Sequence, residues 1–299
     1  MMRWLLLALL MVWAQFASAQ NCRDMQFGDQ APRPPQNASR DIIGQSLDQI
    51  VERGWILFAV YEDFPPFVFT KDGKRTGIDI ELGELIADAL GVEARFNVVQ
   101  ADENVDADLR NHVWRGTIVS GRISNVMLHI PYDRELQCRN ELVVLTGHYF
   151  NEEIAIAYRK DDYPDGGPTP PYFRYDTVGV ENDSLSDFYL SGMANGQIVP
   201  NMTRYTSTEA AMAGLKNAEV KAVMGPLTQL QFGKDETIAV HQPPLVGLAR
   251  GNWTLGVAVR HNWRPLSYAV DDAIRAAVED GRMARIFNRY GVDYNKPEW

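Results

Sequence analysis

Two arginines, Arg134 and Arg139, are able to grip an anion, because a guanidinium presents a planar fork of N–H donors that matches a carboxylate. Residue type does not choose between them, and a solvated surface position would suit either. Earlier in the chain, Phe64-Pro65-Pro66-Phe67 carries two aromatic rings on a loop stiffened by its proline pair. Phe64 and Phe67 are therefore candidates for an apolar wall behind a ligand. Glu62, Asp63, Asp133 and Asp183 could trade protons, but neighbouring acids arise by chance among 39. There is no Gly-x-Ser-x-Gly, no Cys-x-x-Cys, and no Cys–His pairing that spacing supports; the five histidines are scattered without i,i+4 pairing. Catalytic residues, metal ligands and cofactors are accordingly not expected. These groups suit the holding of a small solute.

The elements that must position them alternate between strand and helix. Ser46-Leu47-Asp48-Gln49 has the form of a capping box, opening a short helix that Gly54 ends. Residues 55–60 are a continuous apolar run, suited to a strand buried on both faces as in a parallel sheet. A turn at Lys71-Asp72-Gly73-Lys74 leads to a helix in which Leu82, Leu85, Ile86, Ala89 and Leu90 recur at helical spacing until Gly91. Asp79 reads as a cap of that helix. Residues 94–99 and 125–130 read as strands, with a helix over 108–119 between them. Further strands are expected at 154–158, 178–180, 220–224 and 255–259. Ser184 and Thr206-Ser207-Thr208-Glu209 open helices, and a helix pair broken at Gly281 closes the chain. This alternation implies an α/β architecture.

The first 19 residues form a separate object. Arg3, the apolar run from Trp4 to Trp13, and Ala17-Ser18-Ala19 make a secretory signal peptide cleaved near Ala19, too short to span a bilayer. The expectation is a soluble periplasmic monomer without membrane insertion. Residues 20–40, with Pro32, Pro34 and Pro35, read as a linker. In an exported chain, Cys22 and Cys138 suggest one disulfide, with two unpaired thiols as the alternative. A net charge of −10 sets aside nucleic acid and anionic lipid as partners.

Phe64-Pro65-Pro66-Phe67, then Gly77-Ile78-Asp79-Ile80-Glu81-Leu82, then Leu90-Gly91-Val92 resemble the opening lobe of the bacterial family 3 extracellular solute-binding proteins. Val178-Gly179-Val180 to Tyr189, Ala210 to Met224 and Leu255 to Gly291 continue the likeness over most of 41–295. The resemblance implies a two-lobed periplasmic-binding-protein fold of type II (Venus-flytrap), α/β in each lobe, with two crossover hinge strands. Lobe 1 would comprise 41–147 and 258–299, and lobe 2 148–257. It also implies a small-molecule ligand in the cleft and the membrane permease of an ABC-type transporter as partner.

The resemblance assigns side chains as well. Tyr61 takes the strand-end position where amino-acid-binding members carry an Asp, and Glu62 and Asp63 follow it. Pro226 takes the place of the second-lobe Asp. A buried ammonium without a carboxylate costs on the order of several kcal/mol. An ordinary α-amino acid is thus not the expected ligand unless Glu62 or Asp63 turns inward. His129 and Tyr132 fall in the strand-end loop that lines the family's cleft, although a structural role suits His129 too. Ser184 falls where the family places a hydroxyl at a helix start, and either bonds ligand or caps its own helix.

A narrower likeness covers about forty residues. Leu109-Arg110-Asn111-His112-Val113, Gly121, and Val126 to Asp133 look like the J-type binding proteins encoded with periplasmic quinoprotein alcohol dehydrogenases. That likeness implies a quinoprotein dehydrogenase as partner in place of a permease. A third reading on the same scaffold is an enzyme resembling cyclohexadienyl dehydratase, with a cleft carboxylate as acid. The balance of residues favours a binding protein that is not an enzyme.

Overall fold

The computed structural model describes residues 46–298, so the expected signal peptide, the linker and Cys22 lie outside the described residues. Helix α1 (Leu47–Arg53) opens with the expected capping box: Gln49 N donates to Ser46 Oγ, and Ser46 N donates to Gln49 Oε1. It is followed by β1 (Trp55–Tyr61), the hairpin of β2 (Phe69–Lys71) and β3 (Lys74–Thr76), α2 (Ile78–Leu90) and β4 (Glu93–Val99). Ile56 to Val60 are all buried because β1 lies between parallel neighbours, β4 on one side and β5 (Val126–Pro131) on the other.

Between β4 and β5 the structure departs from expectation. Helix α3 (Val105–Leu109) runs into a π-turn, Arg110–Trp114, so the helical stretch starts three residues earlier and ends five earlier than 108–119. Asn104 sets the start, its Oδ1 accepting from Ala107 N. Gly116, at φ 87°, lies against the Gly121 backbone so closely that an added Cβ would fall 2.3 Å from it. Ile118 and Val119, apolar residues that extended the apparent helix, are fully exposed on the loop between those glycines.

Helix α4 (Arg134–Arg139) then leads into β6 (Val143–Arg159), one strand where only 154–158 was expected. After it come β7 (Val178–Glu181), α5 (Leu185–Gly192), β8 (Met202–Tyr205), α6 (Thr208–Lys216), β9 (Ala222–Pro226), α7 (Leu227–Gly233) and β10 (Ile238–His241). The chain returns through β11 (Asn252–Arg260) and closes with α8 (Arg264–Glu279) and α9 (Arg282–Arg289). The sheet order is β4-β1-β5-β11-β6-β9-β7-β8, with β10 also on β6. The first part of β6 pairs antiparallel with β11, and its end, from Ile154, pairs with β9 and β10.

The fold is therefore two-lobed, and the apolar cores separate accordingly. One set of buried side chains surrounds Phe58, Ile86, Phe150 and Phe287; others gather around Met212 and Leu230, and around Phe173 and Val180. Each buried aliphatic or aromatic side chain contributes roughly 1.5–3 kcal/mol, so each lobe carries its own cohesion. Among the described residues, no helix is long and apolar enough to cross a membrane.

Candidate functional site

The wall of the site grows from the C-terminal end of β1. Beyond Tyr61 the chain turns through Asp63, at φ 44°, and closes the Phe64–Val68 loop by two backbone hydrogen bonds of 2.8 and 2.9 Å. Phe64 stacks on Phe67 with ring centroids 5.2 Å apart. His129 stands edge-on to both, at 4.9 and 4.1 Å, and Tyr61 stands edge-on to Phe64 and to His129 at 6.4 Å. Phe67 is fully buried and backs the wall, whereas Phe64 is only half-buried.

Two bulges at one level of the sheet explain how His129 reaches this cluster. The β5–β11 pairing steps from Met127↔Ala258 to Ile130↔Gly256, leaving Leu128 and His129 opposite Val257 alone. His129 absorbs the extra residue at φ 60°. On the other side of β11 the pairing steps from Thr146↔Val257 to Phe150↔Leu255, leaving Gly147, His148 and Tyr149 opposite Gly256. Bulges of this kind re-aim side chains. Here they aim His129 and Tyr149 at one carboxylate.

That carboxylate is Asp79, which is fully buried. It does not cap α2 as expected: the cap position is Gly77, with no side-chain bond, and an added Cβ there would fall 2.0 Å from Phe67 O. Asp79 Oδ1 accepts from Tyr149 Oη at 3.4 Å, and Oδ2 lies 3.5 Å from His129 Nδ1. Neither Oδ2 nor that Nδ1 makes a hydrogen bond, although both are buried. Nearby on β6, buried Glu152 accepts from Thr228 N at 3.2 Å and Glu153 N at 3.0 Å. Burial pushes its carboxyl up to about 7 against the opposing pull of those hydrogen bonds and of His129. Thr228 belongs to α7, so the floor draws on a helix as well as on β6. On the same loop, Pro65 O accepts from Gln229 Nε2 at 3.5 Å, and a pocket of about 230 Å³ lies between Pro65 and Glu209, Met212, Lys216, Gln229 and Phe232.

The structure thus brings Tyr61, Phe64, Phe67 and His129 together. The remaining expected residues have local surroundings. Glu62 is exposed and accepts from Gln100 Nε2 at 3.3 Å. Tyr132, 44% exposed, stacks on His148 with centroids 4.6 Å apart. Arg134 is exposed in the first turn of α4, which Asp133 caps through Leu136 N. Arg139 pairs with Asp106 at 3.3 Å and Glu135 at 3.1 Å, committing its fork within its own lobe. Ser184 caps α5, accepting from Asp187 N at 3.2 Å. Pro226 precedes α7 without a side-chain cap, so no carboxylate occupies that position. Cys138 is buried and disulfide-bonded, and its expected partner Cys22 lies outside the described residues.

Sequence reasoning missed Tyr149 and Glu152. Their only signal was a polar interruption, Asn151-Glu152-Glu153, inside an otherwise apolar stretch next to Gly147.

The model of the bacterial extracellular solute-binding proteins, family 3, matches residues 56–293. The L-cystine-binding protein TcyJ of Escherichia coli (strain K12) is 26% identical over 259 residues, covering 84% of this chain and 88% of that protein. Among solved structures, the ancestral cationic amino acid solute binding protein AncCDT-1 matches with a TM-score of 0.65 at 19% identity, over 82% of this chain and 99% of that one. AncCDT-1 is also described as a precursor of cyclohexadienyl dehydratase. The solute receptor for L-cysteine of Neisseria gonorrhoeae matches with a TM-score of 0.55 at 18% identity, over 82% and 93% of the two chains. At these identities the structural matches establish the fold.

Proposed function

Since this chain belongs to the bacterial extracellular solute-binding proteins of family 3, we propose that it captures a small polar or anionic solute between its lobes and delivers it to the permease of an ABC-type transporter. The reading places the protein in the periplasm after loss of residues 1–19, with lobes of 41–147 plus 258–299 and of 148–257, and without catalysis. One observation carries it. The half-buried Phe64 and the Tyr61–His129 pair form a wall over Asp79 Oδ2 and His129 Nδ1, buried polar atoms with hydrogen-bonding capacity still unused. This wall stands at the carboxyl end of a parallel strand, where open α/β sheets receive ligands.

The ligand class follows from what faces the solute. L-cystine, L-cysteine and cationic amino acids, the solutes of the relatives, all carry an amine, which needs a carboxylate. Pro226 supplies none, so an amine would rely on Glu62 or Asp63, the exposed acids that follow Tyr61. A solute with one flat or apolar part to lie against Phe64, and a polar head, fits this wall best. Neither the fold nor the relatives bear on the dehydrogenase likeness, and it forms no part of the proposal.

The test is a thermal-shift screen followed by calorimetry. The panel is L-cystine, L-cysteine, L-arginine, dicarboxylates, and small alcohols and aldehydes, each to millimolar concentration or its solubility limit. One class is expected to raise Tm; at about a hundredfold over Kd the stabilisation is about 2.7 kcal/mol. Phe64→Ala is expected to abolish the shift. A panel without a single hit overturns the reading, and recovery of a chemically altered ligand overturns its non-enzymatic part.

A further inference from the structure

At the Tyr61 hydroxyl, which donates to Asp108, three metal-ligating side chains converge. Asp108 and His112 lie four residues apart on the continuous run of α3 and its π-turn, a spacing that puts both on one helix face. Asp102, on the loop after β4, is folded back onto them by a 2.8 Å bond from its backbone N–H to Asp108 Oδ1. One ligand atom from each of the three lies within 4.8 Å of the other two.

Two further observations point beyond a self-contained network. The His112 side chain is only 9% exposed. Its Nε2 faces Asp102 Oδ2 at 3.7 Å, beyond hydrogen-bonding reach but a span that an ion between the atoms would bridge. Both carboxylates, moreover, are oriented from outside the cluster. Tyr61 Oη donates to Asp108 Oδ2 at 2.8 Å, and Asn111 Nδ2 donates to Asp102 Oδ2 at 2.8 Å. Outer partners of this kind hold ligating carboxylates in place. Burial pushes the imidazole of His112 down, against the opposing pull of Asp108 and Asp102.

We propose that Asp102, Asp108 and His112 form a site for a single divalent transition-metal ion of the zinc class, at the Tyr61 edge of the solute wall. One imidazole nitrogen with two carboxylates suits Zn²⁺ or Co²⁺ better than Mg²⁺ or Ca²⁺, which prefer oxygen throughout. The two acids balance the charge of the ion, and three protein ligands leave the remaining position to water. The site stands independently of the solute reading.

The experiment uses the full mature chain without a histidine tag, stripped with chelator and titrated with Zn²⁺ by calorimetry, and with Co²⁺ followed by visible absorption. One Zn²⁺ per chain is expected, together with Co²⁺ bands that shift when the histidine ligand is lost. Asp102→Asn keeps the backbone N–H that Asp108 receives and alters an exposed residue, so it is expected to fold. Its Zn²⁺ affinity should fall at least about tenfold, and His112→Gln should do the same. Should His112→Gln fail to fold, Asp102→Asn decides alone. Wild-type protein that takes up no stoichiometric Zn²⁺ at about 100 μM overturns the proposal. So does a folded Asp102→Asn variant that binds as tightly as wild type, since the ion then lies elsewhere.

Discussion

Asp79 and Asp187 occupy matching positions in the two lobes and meet opposite fates. Each sits in the first turn of a helix that follows a strand of its own lobe, and each is almost wholly buried. Asp187 accepts from Asp183 N, Ser191 Oγ and Arg204 Nε, and these bonds outweigh burial to hold its carboxyl below the usual range. Asp79 has one long bond from Tyr149 and an oxygen with no hydrogen bond at all. A buried polar atom without a hydrogen bond costs about 1–3 kcal/mol, and Oδ2 has only the 3.5 Å approach of His129 Nδ1. The second-lobe helix start is complete in itself. The first-lobe wall is not, and the proposed solute site rests there.

Substitutions can break or sharpen this contrast. The largest effect is expected from Phe67→Ala, which empties a fully buried site behind the wall and should cost about 3–5 kcal/mol in urea unfolding. Phe64→Ala should cost far less while abolishing solute binding; equal stability losses would mean that both rings are simply core.

Next in size is Glu152→Gln. The folded carboxyl titrates near 7 and the unfolded one lower, so between those values the folded state holds the extra proton. Wild-type stability should therefore fall as pH rises from about 4.5 to about 7. The glutamine variant should lack that slope and be more stable at pH 8 by up to about 3 kcal/mol. Parallel pH profiles for the two proteins would show that the carboxylate is solvated.

Ser184→Ala should remove a helix cap at a cost of about 1 kcal/mol, leaving solute affinity unchanged. An affinity loss beyond tenfold would instead bring the second-lobe helix start into the site. The smallest effect is expected from Arg139→Ala, whose partners are partly exposed: about 0.2–1 kcal/mol of stability and no change in binding. Arg134→Ala should weaken binding of an anionic solute, and calorimetry on both variants decides which arginine acts as clamp.

Legibility in the sequence followed the range of the interactions. The capping box at Ser46, the apolar run of β1 and the Gly91 stop of α2 are set by neighbours within a few residues, and all three appear where expected. The helix over 108–119 was misplaced because Ile118 and Val119 continue an apolar pattern that the Gly116–Gly121 contact overrides. In the site, the aromatic loop was readable from Phe64-Pro65-Pro66-Phe67 alone. Arg139 looked free as a sequence and is held by Asp106, 33 residues away. The Asp108–His112 pair does not show in the spacing of the histidines, because one member is a carboxylate.

By itself the sequence determined the alternation of strands and helices, the stops between them and the family to which they belong, since these depend on local periodicity and turn chemistry. Only the tertiary structure decided that His129, Tyr149 and Asp79 meet. Their meeting depends on two bulges facing each other across β11, and a bulge is a mismatch in register between strands distant in the chain, which no single stretch of residues encodes.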